Sequence, residues 1–147
     1  MPYTYDYPRP SLTVDCLIFS GEANQRQILL IQRKHEPFKD CWAIPGGFMD
    51  MNENLEQAAL RELEEETGVT QIALTQMHTF SQVDRDPRGR TISVAFYGFA
   101  NLASTKIKAA DDASNVAWFP ILQLPPLAFD HAKIIEFAVK NVPALSL

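Results

Sequence analysis

Only two cysteines occur in 147 residues, Cys16 and Cys41, and they show neither a CxxC pair nor zinc-ligand spacing. A disulfide framework and a cysteine zinc site are thereby excluded, and both residues, lying in apolar stretches, are expected to be buried, reduced thiols. No apolar run approaches the roughly 18 residues of a membrane span, and the N-terminus lacks a signal-peptide pattern. A cytoplasmic location without a membrane partner is the expectation. Basic residues are also in deficit, 13 against 18 acidic, and the net charge of −5 argues against nonspecific binding to nucleic acid. Local clusters of arginine can still meet phosphates. Internal repeats and low-complexity segments are missing as well. What is present is a chain 46% hydrophobic, enough for one core, so residues 1–147 are read as a single domain behind an extended, proline-containing leader at 1–10.

The densest information lies between Gly47 and Val69, GFMDMNENLEQAALRELEEETGV. Asn54 is a good N-cap and Gln57, three residues on, completes a capping-box pattern, so a helix of three to four turns is predicted from near Leu55. Most residues from 58 to 66 are strong helix formers, and Gly68 supplies the left-handed residue that commonly ends a helix. Glu62, Glu65 and Glu66 then fall at i, i+3 and i+4, which gathers three carboxylates on one face. Like charges at that spacing repel, and they sit toward the negative end of the helix dipole. Helix stability alone disfavours such an arrangement, whereas a hard divalent cation, Mg²⁺ or Mn²⁺, turns the repulsion into coordination. Leu55, Ala59 and Leu63 space along another face, which can bury against a sheet.

Nine positions in this stretch, Gly47, Glu53, Arg61, Glu62, Leu63, Glu65, Glu66, Gly68 and Val69, carry the spacing of the Nudix box, which would span 47–69. A chance match is on the order of one in a billion per starting point. The chain therefore resembles the Nudix hydrolases. The resemblance implies an α/β/α sandwich around a mixed β-sheet, hydrolysis of a nucleoside diphosphate linked to another group, and metal held by Glu62, Glu65 and Glu66 with a backbone carbonyl at Gly46. It also implies that Glu53 fixes the loop before the helix, where its plain alternative is a first-turn helix acid. Arg61 is either the bidentate anchor of that loop or an i,i+4 partner of Glu65. Pro45, Gly46 and Gly47 put two backbone units without Cβ beside the helix start, where a ligand or metal can approach closely.

Elsewhere the order of segments reads as strands around the box helix. Strands are predicted at 12–19, 28–32, 42–44, 72–80, 91–100 and 116–119, the first two as a hairpin. Asp130 is expected to cap a last helix whose apolar stripe is Ile134, Ile135, Ala138 and Val139. Substrate choice must come from outside the box, and the segment Asp84-Arg85-Asp86-Pro87-Arg88-Gly89-Arg90 is the main candidate. Asp-Pro-Arg-Gly alone makes a type I turn. Three arginines in six residues exceed what a turn needs and suit a diphosphate. Arg33 is a further candidate for a phosphate contact, and Asp112, in a polar loop, for a base or auxiliary metal ligand. His131 is expected to pack or cap, and Phe80, Tyr97 and Trp118 to stack on adenine or fill the core.

The Arg-rich segment and the downstream residues, including Leu127-Ala128-Phe129-Asp130-His131, are similar to those of the ADP-ribose pyrophosphatase subgroup. That likeness implies conversion of ADP-ribose to AMP and ribose 5-phosphate with Mg²⁺, Mn²⁺ being able to substitute. Other ADP-sugars, dinucleotides or damaged nucleoside triphosphates are the neighbouring alternatives. A different class is an ADP-ribose-sensing module, since the subgroup is also similar to the sensor half of certain transcription regulators. A homodimer, with Tyr3, Tyr5 and Tyr7 of the leader packing across it, is carried over in the same way.

Overall fold

The computed structural model describes residues 2–108 and 113–145. Among them one sheet contains β1 (Ser11–Ser20), β2 (Gln27–Arg33), β3 (Trp42–Ala43), β4 (Gly46–Phe48), β5 (Thr75–Phe80), β6 (Thr91–Phe99) and β7 (Ala113–Pro120). Helix α1 (Leu55–Thr67) lies between β4 and β5 in the chain, and α2 (His131–Asn141) follows β7. The spine is β1, which pairs in parallel with β6 from Ser11 opposite Thr91 to Phe19 opposite Phe99. Its other edge divides. Residues 13–15 meet β4, whereas Phe19 and Ser20 meet β2, both antiparallel. β7 runs along β2, β3 pairs with the end of β2, and β5 closes the far edge against β6.

Alternation along the spine sorts the core into two layers. Val14, Cys16 and Ile18 pack with Val94 and Phe96 against Ala58, Ala59 and Leu63 of α1. Leu17 and Phe19 point the other way and pack with Ala95 against Ile134, Ile135 and Ala138 of α2. One helix on each face of a mixed sheet is the α/β/α sandwich expected. The capping box also forms as expected: Asn54 Oδ1 accepts from the Gln57 backbone N–H at 2.8 Å and Gln57 Oε1 from that of Asn54 at 2.9 Å. Gly68, with φ of 79°, ends the helix in the left-handed region.

Four details differ from the sequence reading. Gly46 and Gly47 belong to a short strand that was not among those expected; two glycines carry no strand propensity, so their pairing is set by register with β1. β5 begins at Thr75, because Ile72 and Leu74 contribute apolar packing without entering the ladder. Cys41 is only half-buried, while Cys16 is buried and its thiol donates to the Ala59 carbonyl at 3.3 Å. Asp130 stands at the N-cap position of α2 but makes no cap bond, because Arg85 takes both of its carboxylate oxygens.

Candidate active site

The loop from β4 into α1 is organised around one guanidinium. Arg61 donates to both oxygens of Glu53, Nε at 3.0 Å and Nη2 at 2.6 Å, and to the Phe48 carbonyl at 3.1 Å. Its Nη1 donates to Glu62 at 2.9 Å and to Glu65 at 3.2 Å. Loop anchor and i,i+4 partner are thus the same residue. The hydrogen bond from Arg61 holds Glu53 below the usual carboxylate range, and the Asp50 backbone N–H, 2.7 Å away, acts in the same direction. Glu62 is pushed up instead, because its partial burial outweighs the stabilising contact with Arg61.

Glu66 is buried, and its Oε1 accepts from the Gly46 backbone N–H at 3.0 Å. A Cβ on Gly47 would come within 2.5 to 2.6 Å of the Glu62 carboxylate, so the absence of a side chain there makes room for that acid. Three carboxylates of α1 and the glycine strand therefore border one cleft of about 460 Å³. The donor set, all oxygen and multiply anionic, fits a hard divalent cation in its chemistry. Among the described residues no three acidic, histidine or cysteine side chains already converge as a ready metal cage. Arg61 holds two of the three acids by direct hydrogen bonds and supplies the positive charge beside them.

The same cleft is lined by most of the cationic candidates. Arg33 and Arg88 both line it, with their guanidinium carbons 4.9 and 4.8 Å from the ring centre of Phe129. Arg88 also lies 4.9 Å from the ring centre of Phe48, and Asp86 holds it at 2.8 Å. Arg33 Nε donates to the Pro37 carbonyl at 2.7 Å. Arg85 lines the cleft too, but its side chain is 4% exposed and is bound to Asp130 at 2.7 and 2.9 Å and to Ser93 at 2.8 Å. A latch between the arginine loop and α2 is its visible role. Arg90 is outside the lining, an exposed residue near the Gln82 carbonyl. Asp112 lies outside the described residues. Glu53 and Arg61 are not among the residues that line the cleft. Phe80, Tyr97 and Trp118 pack against the two cores and border no part of the cleft.

Sequence reasoning missed the floor of this cleft. Asp15 and His131 line it, each 5% exposed, with His131 Nε2 3.8 Å from Asp15 Oδ1. Burial pushes Asp15 up to about 7 against the opposing pull of Arg85. Burial pushes His131 down to about 4, so its ring is neutral near pH 7. A lone acid in the middle of the apolar run Leu12 to Phe19 was the available signal.

Sheet, helix order and the acid-bearing box helix define a Nudix hydrolase, and the NUDIX domain family model matches residues 9–137, so the chain belongs to that family. Hydrolases of this family generally use divalent metal ions. An ADP-ribose pyrophosphatase of Methanocaldococcus jannaschii is 42% identical over 130 residues, which cover 88% of this chain and 73% of that protein. An ADPR responsive transcriptional repressor, NtrR of Acinetobacter baylyi, is 39% identical over 137 residues, 90% of this chain but 54% of the repressor. The crystal structure of the NUDIX domain of Shewanella oneidensis NrtR complexed with ADP ribose superimposes with a TM-score of 0.82 at 36% identity, covering 94% of each chain. Among the described residues no helix is long and apolar enough to cross a membrane.

Proposed function

We propose that this chain hydrolyses the pyrophosphate bond of ADP-ribose, giving AMP and ribose 5-phosphate, with Mg²⁺ held by Glu62, Glu65, Glu66 and the Gly46 backbone, and Mn²⁺ able to substitute. The observation that carries this reading is a single cleft lined both by the carboxylates of α1 and by Arg33 and Arg88. Phosphoanhydride cleavage requires neutralised phosphate charge and a positioned water more than covalent help from the protein. Divalent ions bound there supply Lewis acidity and make bound water more acidic. The chain's own contribution is placement. Arg61 fixes the direction of Glu53, Glu62 and Glu65, the Gly46 N–H fixes Glu66, and Phe129 and Asp86 hold the cleft arginines where phosphate oxygens would meet them. The 42% identical pyrophosphatase supports the choice of substrate.

AMP release from ADP-ribose with Mg²⁺ at pH 7.5 to 8.5 tests the proposal, beside a panel of ADP-sugars and nucleoside triphosphates ranked by kcat/KM. Fastest turnover of ADP-ribose is expected, and faster turnover of another panel member would reassign the substrate. The repressor relative favours one second reading, an ADP-ribose-sensing module. Saturable ADP-ribose binding with no turnover under any divalent metal would select it.

A further inference from the structure

Thr13, Asp15, Ser93 and His131 line the cleft together. The residues of β1 and β6 that face α2 are apolar at one end, Leu17, Phe19 and Ala95, but Thr13, Asp15 and Ser93 at the other. The first residue of α2, His131, sits against that polar end. Its Nδ1 accepts the Ile44 backbone N–H at 3.0 Å, so the neutral ring carries its hydrogen on Nε2. That donor and Asp15 Oδ1 are 3.8 Å apart, too far for a direct hydrogen bond yet close enough to share one atom between them. The other carboxylate oxygen, Oδ2, is buried with no partner at hydrogen-bond distance among the described residues, although the Ser93 hydroxyl is near enough to pull the Asp15 carboxyl down.

A phosphate oxygen would accept from Nε2 but would confront the carboxylate. A hydroxyl group satisfies both, accepting from His131 and donating to Asp15. A neighbouring hydroxyl would meet the Thr13 and Ser93 side chains, which are hydrogen-bonded to each other, with Ser93 held by Arg85 at 2.8 Å. We infer that Asp15 and His131 form a hydroxyl-recognising subsite that seats a ribose of the substrate while Arg33 and Arg88 take its phosphates. The inference rests on the proposed class of substrate, a diphosphate flanked by riboses, and either ribose carries the required chemistry.

The two hydrolysis products separate the riboses and cannot turn over, so their equilibrium binding is the test. Calorimetric Kd values would be measured for AMP against 2′- and 3′-deoxy-AMP, and for ribose 5-phosphate against 2-deoxyribose 5-phosphate. In the wild-type protein one of these series should weaken about tenfold or more on losing a hydroxyl. That gap should close to within about twofold in Asp15→Asn and in His131→Asn, where the asparagine oxygen can still accept from Ile44. His131→Asn keeps the test open if Asp15→Asn does not fold. A wild-type protein indifferent to every hydroxyl, or a gap that persists in both variants, would overturn the subsite. Turnover of ADP-ribose, assayed separately, judges the proposed reaction: turnover without the gap removes only the subsite, and the gap without turnover removes only the reaction.

Discussion

At Gly46 and Gly47 the missing side chain matters for two different reasons, and the difference is measurable. A Cβ on Gly46 would stand 2.0 Å from the Val14 carbonyl oxygen, a backbone atom of the spine that cannot withdraw without breaking the β1 to β4 pairing. Gly46→Ala should therefore lower unfolding stability by about 2 to 4 kcal/mol in urea denaturation. On Gly47 the same atom meets the Glu62 carboxylate, the movable end of a side chain. Gly47→Ala should keep nearly the wild-type midpoint but lose at least about tenfold in kcat, since the displaced acid belongs to the proposed metal site. Equal stability losses in the two variants would contradict this division. Glu65→Gln is the complementary change. Its side chain is 46% exposed, so folding should be unaffected, while removal of one metal-directed charge should reduce kcat at least about a hundredfold. Near-normal turnover in that variant would remove Glu65 from the proposed metal site.

Between elements, the least expected connection is the one from the arginine loop to α2. Arg85 and Asp130 form a bidentate, largely buried pair across 45 positions of sequence. Removing one partner of such a pair leaves an uncompensated charge, so Arg85→Ala should destabilise by about 3 kcal/mol, and a loss under about 1 kcal/mol in chemical denaturation would show that the latch is incidental. This contact also marks where sequence reading ran out. The box helix, its cap, its terminating glycine and its acid face were legible, because all depend on residues within four positions of one another. The sandwich was legible too, from the order of segments and the likeness of the box, although β1 reads as a near-continuous apolar run that does not itself assign its two faces. Arg85 was legible as a cation in a turn but not as a buried one, because its partner lies 45 residues away. β4 was invisible for the same reason: only pairing with β1 makes a strand of two glycines and a phenylalanine. Asp15 and His131 are 116 residues apart in the chain, and their meeting follows from the parallel pairing of β1 with β6 and the seat of α2 upon it.

For the molecule as a whole, that buried pair makes the pH dependence of folding a balance of two opposed terms. His131 titrates at about 4 when folded and near 6.5 when unfolded, so between those values the unfolded chain binds the extra proton and stability rises with pH. Asp15 titrates at about 7 when folded against 3.8 unfolded, so over nearly the same window the folded chain binds the extra proton and stability falls. Each slope alone is about 1.4 kcal/mol per pH unit, and with opposite signs they largely cancel from about pH 4 to 6.5. The wild-type profile should be nearly flat there as far as these two groups decide it. Asp15→Asn removes the falling term. Its stability should climb from pH 4 to 6.5 and then level off, leaving the variant more stable than wild type at pH 8 by about 1 to 3 kcal/mol and little different near pH 4. His131→Asn removes the other term and should tilt the profile the opposite way, with stability falling until about pH 7. Urea denaturation at pH 4.5, 6 and 8 on the three proteins measures all of this. Parallel profiles would mean that the two groups titrate in the fold much as they do in water, which their burial on the floor of the cleft argues against.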